Sequence, residues 1–221
     1  MSFPAALRAE GAVLVIPIGS TEQHGPHLPL TTDTDIAVAL AERLAARVKN
    51  VIIAPALSYG ASGEHAGFPG TLSIGNVATE LVLTELVRSA NDTWSRVLAI
   101  STHGGNDVPV RQAVALLQSE GRDVQGWFPS WRGDAHAGHT ETSIMLHIAT
   151  ERVDLDAAEP GASAPLAHII GTMRSGGIAA VSPNGVLGDP TTADEKHGHA
   201  LVDAATTELV ELVATWTRAP R

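Results

Sequence analysis

Residues 13–27, Val13-Leu14-Val15-Ile16-Pro17-Ile18-Gly19-Ser20-Thr21-Glu22-Gln23-His24-Gly25-Pro26-His27, decide how this chain is read. The first six are apolar and strand-length, which predicts a buried strand over Val13–Ile18 ended by Gly19. The rest is a loop crowded with groups capable of chemistry, Glu22 and His24 above all. An apolar strand that empties into a polar loop is the pattern of an open parallel sheet. There, sites form beyond the carboxyl ends of strands.

Outward from this stretch, strands and helices alternate. Asp33–Val48 has Ile36, Leu40, Leu44 and Val48 on one helical stripe, and Val51–Leu57 reads as a second strand. Ser58–Gly75 is Gly- and Ser-rich and reads as a long loop. Helix Val77–Trp94, strand Val97–Ser101 and helix Val110–Ser119 follow, with Gly121 placed to cap the last of these. Val124–Phe128 is a fourth strand, and a helix runs from about Glu141 to Thr150. Residues 156–190 are rich in Pro, Gly and Ser, and the expectation is loops with one short strand near His168–Ile170. The last helix is expected to open on Thr192-x-x-Glu195 as a capping box and to run to Trp216. This alternation predicts an α/β fold with a mainly parallel sheet and helices on both faces, in a single domain spanning 1–221.

Composition narrows the function classes. Hydrophobic residues make up 44% of 221, enough for a sizeable core, while aromatics are only 4%, so Ala, Val, Leu and Ile must fill it. The formal net charge of −10 argues against nucleic-acid binding, which needs a positive face to displace counterions. With no cysteine, disulfides, thiolate zinc sites and Cys nucleophiles are excluded, and a cytoplasmic location fits. No apolar run is long enough to span a membrane, and Met1-Ser2-Phe3-Pro4 does not open a signal peptide.

Three strand-following loops carry polar clusters: 19–27 with Asp33 just beyond, Thr102-His103-Gly104-Gly105-Asn106, and 133–141 with Asp134, His136, His139 and Glu141. Carboxylates and imidazoles without thiolates suit Zn²⁺, Mn²⁺, Fe²⁺ or Co²⁺. Asp33 has two oxygens and can bridge two ions, which together can polarise a carbonyl and activate water. Plainer readings stand beside these. Glu22 can cap a backbone turn, Asp33 can be the N-cap of the helix that follows, and Gly104-Gly105 can simply permit a tight turn. His136 and His139 can be solvated loop residues.

Residues 19–29, His103-Gly104-Gly105-Asn106 and His136-Ala137-Gly138-His139-Thr140-Glu141-Thr142-Ser143 resemble the signature segments of the creatininase family, closest to its mycofactocin-system branch. Residues 56–65 and 185–193 resemble that branch too, and the likeness runs from about Val13 to Trp216. The resemblance implies a three-layer α/β/α sandwich, a homo-oligomer, and two divalent transition-metal ions per chain, Zn, Fe or Mn. Glu22, Asp33 and His103 are implied as ligands of one ion, and His24 and Asp33 of the second. Creatininase proper has a Glu two residues beyond the His of the third-strand loop. That position is Gly105 here, and Glu141 is the obvious replacement. A smaller departure is Thr102, where many relatives have Gly.

By the same resemblance His136 is implied in proton transfer at the scissile amide, or alternatively in orienting a ligand. The implied activity is metal-dependent hydrolysis of a modified precursor peptide near its C-terminus, releasing a small Val-Tyr-derived product. A small cyclic-amide or formamide hydrolase is the alternative within hydrolases. A non-catalytic metal-binding subunit of a maturation complex is the alternative outside them. Glu64 and His65 can line the pocket or contact a neighbouring subunit. Trp127 and Trp131 can be core or rim residues, or an aromatic wall for an aromatic group. His27 is a possible ligand-orienting residue, and His147, His168, His197 and His199 read as structural or exposed.

Overall fold

A computed structural model of the chain describes residues 11–218; the Met1–Pro4 stretch lies outside them. Four strands, β1 (Val13–Ile18), β2 (Val51–Ile53), β3 (Arg96–Ser101) and β4 (Val124–Trp127), form a parallel sheet in the order β2-β1-β3-β4. Val13 lies opposite both Val51 and Arg96, and Val97 lies opposite Val124.

Side chains alternate across this sheet and so build two cores. Val13 and Val15 of β1 join Leu98 and Ile100 of β3 on one face. Leu14, Ile16 and Ile18 join Val97 and Ala99 on the other. The first face is covered by α1 (Thr32–Arg47), α4 (His139–Ile148) and α6 (Glu195–Arg218), through Ile36, Leu40, Ile144, Met145 and Leu209. The second is covered by α2 (Gly75–Ala90) and α3 (Asp107–Ser119), through Leu83, Val87, Val110 and Leu117. Each such side chain, fully buried, contributes about 1.5–3 kcal/mol. Burial from both sides is why β1 and β3 read as continuous apolar runs rather than alternating ones.

Several expectations need correction. β2 stops at Ile53 rather than Leu57. The chain stays beside β1 but slips by one residue, from Val15↔Ile53 to Ile18↔Leu57, across Pro55, which has no N–H for the ladder. The expected strand near His168–Ile170 is a helix, α5 (Leu166–Gly176). Leu166, Ile169, Ile170 and Met173 recur every three or four residues, the helical period, and the Pro- and Gly-rich flanks obscured it. Thr192 does not cap α6; it ends a short 3-10 turn, Pro190–Thr192. Asp194 immediately precedes α6 instead, and its carboxylate accepts the Lys196 N–H at 3.3 Å. Among the described residues no helix is long and apolar enough to cross a membrane.

Candidate metal centre

Because all four strands run in parallel, the loops that follow them open on one edge of the sheet. Buried polar side chains tie these loops together. Asn106, after β3, donates to the Gly19 carbonyl at 2.9 Å and accepts the Ala61 N–H at 2.9 Å, joining the β1 and β2 loops. The Thr102 hydroxyl donates to the Asp33 carbonyl at 2.7 Å and fixes the start of α1.

On this edge five carboxylate and imidazole side chains far apart in sequence meet. Asp33 lies inside the first turn of α1, not at its N-cap, which is Thr31. Its carboxylate therefore has no capping role and turns to the loops. Oδ1 is 3.5 Å from His24 Nε2 and Oδ2 is 3.3 Å from His103 Nδ1, while the Ser20 hydroxyl donates to Oδ2 at 2.6 Å. Glu22 is wholly buried, with Oε2 3.2 Å from His103 Nε2 and Oε1 3.1 Å from His65 Nε2. Glu141, in the first turn of α4, places Oε2 3.9 Å from His24 Nε2 and accepts the Ala137 N–H at 2.6 Å. His136 directs Nδ1 at Glu22 Oε1, 3.8 Å away, and at Glu141 Oε2, 4.0 Å away. Glu22, His24, Asp33, His103 and Glu141 are thus one cluster, with His136 at its edge.

Sequence reasoning left His65 undecided between pocket and subunit contact. It is buried and belongs to the cluster, since the turn Gly63–His65 points it inward. Glu64 stays one-third exposed, with Oε1 3.8 Å from His103 Nε2. Gly105 matters sterically: a Cβ there would lie 2.5 Å from His103 Nε2 and 2.6 Å from Glu64 Oε1. The space a side chain at 105 would take is already held by neighbouring groups. His27 is buried outside the cluster and pairs its Nε2 with Thr142 Oγ1 at 2.8 Å. His139 pairs with His197 at 2.8 Å, and His147 packs on His199, both away from the centre.

The electrostatics suit a site for a cation. The Glu22 oxygens and His24 Nε2 are buried without a hydrogen-bond partner, because the facing imidazoles meet them off hydrogen-bond geometry. Orphaned buried groups of this kind are costly, and a divalent ion among them would satisfy them. His24 already has its other nitrogen, Nδ1, 3.1 Å from the Glu22 carbonyl, which accepts its proton and leaves Nε2 for the centre. Burial lowers the His24 pKa, but Asp33, Glu141 and Glu22 outweigh it and raise it to about 9. Burial raises Glu22, yet His103 beside it holds it near about 2. Burial pushes Glu141 up to about 7. Burial, with His24 and His65 nearby, pushes His136 well below the usual imidazole range. Among the described residues, three groups are compact enough for an ion: Glu22, Asp33 and His103; His24, His136 and Glu141; and Glu22, His65 and His136. The oxygen and nitrogen donors fit a divalent transition metal.

Two cavities meet at this cluster and share His103, Gly104, Ala135 and Glu141. The smaller, about 290 Å³, has Glu64, His65 and His136 facing an apolar wall of Ile170, Met173, Ile178 and Leu187. α5, missed as a helix in the sequence, supplies part of that wall. The larger, about 490 Å³, is lined by Phe128, Trp131, Asp107 and Asp134. Trp131 therefore faces a cavity, whereas Trp127 is buried in the first core and forms no wall.

Comparison with known proteins gives the family and the fold. The family model Creatininase, described as creatinine amidohydrolase, matches residues 1–213. The chain is 49% identical over 211 residues to the mycofactocin precursor peptide peptidase of Mycolicibacterium smegmatis, covering 92% of this chain and 85% of that one. A crystal structure of creatinine amidohydrolase superposes with a TM-score of 0.82 at 22% identity, covering 99% and 95% of the two chains. A manganese form of creatininase gives 0.78 at 22% identity, covering 96% and 93%.

Proposed function

The chain belongs to the creatininase family, and on that footing we propose that it is a metal-dependent peptidase of the mycofactocin system. It hydrolyses an amide bond near the C-terminus of the modified mycofactocin precursor peptide and releases a small Val-Tyr-derived product. The observation that carries the reading is the cluster of orphaned buried donors, Glu22 and His24 foremost, at the junction of two cavities.

In this reading Glu22, Asp33 and His103 would hold one divalent ion, zinc, iron or manganese, and Asp33, His24 and Glu141 would hold a second. Bound there, such ions would supply Lewis-acid polarisation of the scissile carbonyl and a water acidic enough to attack near neutral pH. The chain does the rest. His136 Nδ1, bare in the neutral ring and facing the centre, takes a proton from the attacking water and passes it to the leaving amine. Trp131 and Phe128 offer an aromatic wall to the Tyr-derived group. The whole chain works as one domain, supported by two cores on one sheet. It works in the cytoplasm as a homo-oligomer, and the exposed apolar side chains of α2, Val77 at 82% and Leu81 at 57%, support an assembly that covers them.

The deciding experiment is mass spectrometry of modified and unmodified precursor peptides incubated with the enzyme. A small C-terminal fragment should appear from the cross-linked peptide and far more slowly from the unmodified one. Rapid creatinine hydrolysis with both peptides intact would instead make it a cyclic-amide hydrolase, and ion binding with no amide turnover would make it a non-catalytic subunit.

Glu141→Gln tests the replacement of the ligand absent at Gly105. It should deplete one ion more than the other, seen as a drop in metal-to-protein ratio by elemental analysis. In the wild type, ion uptake at this carboxyl must displace a proton, so occupancy should weaken as pH falls through about 7. Equal retention of both ions in the variant would show that Glu141 is not a ligand.

A further inference from the structure

Gln23 lies between two proposed ligands in sequence, and its side chain is buried. Two main-chain groups orient its carboxamide. The Gly25 N–H donates to Oε1 at 2.8 Å, and Nε2 donates to the Gly185 carbonyl at 3.0 Å. An N–H only donates and a carbonyl only accepts, so the flipped amide would lose both bonds. Gly185 permits this approach: its φ is +80°, and a Cβ there would sit 2.0 Å from Gln23 Oε1.

The second hydrogen on Gln23 Nε2 goes to His65 Nδ1, 2.9 Å away. That nitrogen must then be bare, and the His65 ring proton is on Nε2, 3.1 Å from Glu22 Oε1. His136 is constrained by the same residue. Its Nε2 is 2.8 Å from the Gln23 main-chain carbonyl, which can only accept, so Nε2 carries a proton. The 3.1 Å approach of Gln23 Nε2 to His136 Nε2 brings two donors together and is a packing contact.

We propose that Gln23 is a positioning residue that sets the ring protons of His65 and His136. His65 keeps its proton on Nε2 and presents a donor, not a lone pair, to Glu22. His136 exchanges protons only at Nδ1, the nitrogen that faces Glu22 and Glu141. The group of Glu22 with His65 and His136 therefore takes no ion, and the ions belong to Glu22, Asp33 and His103 and to Asp33, His24 and Glu141. The catalytic meaning of the His136 proton rests on the peptidase reading above; the proton placement stands on the hydrogen bonds alone and is measured separately.

Two-bond ¹H–¹⁵N correlation spectra of ¹⁵N-histidine-labelled protein, first metal-free and then titrated with Zn²⁺, provide the test. His65 should show a protonated Nε2 and a bare Nδ1, and should keep that pattern while His24 and His103 respond to Zn²⁺. A His65 protonated at Nδ1, or a His65 Nε2 that shifts as a ligand on Zn²⁺ addition, would overturn the proposal. Gln23→Glu supplies the second arm, since a carboxylate cannot donate to His65. Its His65 proton should move to Nδ1, and kcat on the precursor peptide should fall by roughly 10–100-fold with KM little changed. An unchanged His65 pattern in this variant would also refute it. Should the variant not fold, the wild-type spectra decide alone. A wild type that cleaves no peptide would reject the peptidase reading and leave the proton assignment standing.

Discussion

Asp33→Asn is expected to empty the centre of both ions and to abolish measurable hydrolysis. Asp33 turns its two oxygens to the histidines proposed for the two ions, His24 at 3.5 Å and His103 at 3.3 Å. Asn keeps the volume but replaces one charged oxygen with an N–H donor, which is repelled by a cation and cannot ligate it. Removing one partner from a buried charge network costs about 3–5 kcal/mol, on the order of 10²–10⁴-fold in ion affinity. Elemental analysis after dialysis, with Zn²⁺ titration calorimetry, reads the loss directly. Retention of a full complement of ions would remove Asp33 from the bridging position.

The metal-free variant should differ in pH dependence too. In the wild type, Asp33 leads the charges that raise His24 to about 9 against a usual 6.5. A raised imidazole contributes stability that is fully present below 6.5 and is lost as pH rises through 9. Without Asp33 that loss should be smaller, so denaturant midpoints of the metal-free variant should change less between these pH values than those of the wild type.

His136→Ala is expected to lower kcat on the modified precursor by about 10²–10⁴-fold while the ions stay bound. The reason lies in its bonding. Nε2 is held by the Gln23 carbonyl at 2.8 Å, and Nδ1 faces the centre but stays 3.8 Å or more from the Glu22 and Glu141 oxygens. Burial and neighbouring histidines keep the ring neutral, the state in which it can accept a proton from the attacking water. Loss of an ion in His136→Ala would make it a ligand with His24 and Glu141. Undiminished kcat would remove it from proton transfer.

The two expected effects separate by cause, since Asp33 acts on occupancy and His136 on turnover at full occupancy. Measuring metal content and kcat on the same preparations keeps them apart.

Much of this was legible in the residues alone. Val13–Ile18 and Val97–Ser101 announced two-faced strands because a buried parallel strand must be apolar on both sides. Parallel order then sent their loops to one edge, and the family resemblance singled out Glu22, His24, Asp33, His103 and Glu141 among their polar residues before any distance was known. What periodicity left open was decided in three dimensions. Whether Asp33 capped α1 or faced the centre depended on where Ser20 and His103 lay, 2.6 and 3.3 Å from it. Trp127 and Trp131 look alike in sequence, yet β4 buries one in the core and the loop turns the other to a cavity. His65 and Gln23 entered the centre only through bonds to residues as distant as Gly185. Local pattern governs helical and strand period because it acts between near neighbours. The meeting of side chains across loops depends on sheet order, register and packing, which no single segment of this chain contains.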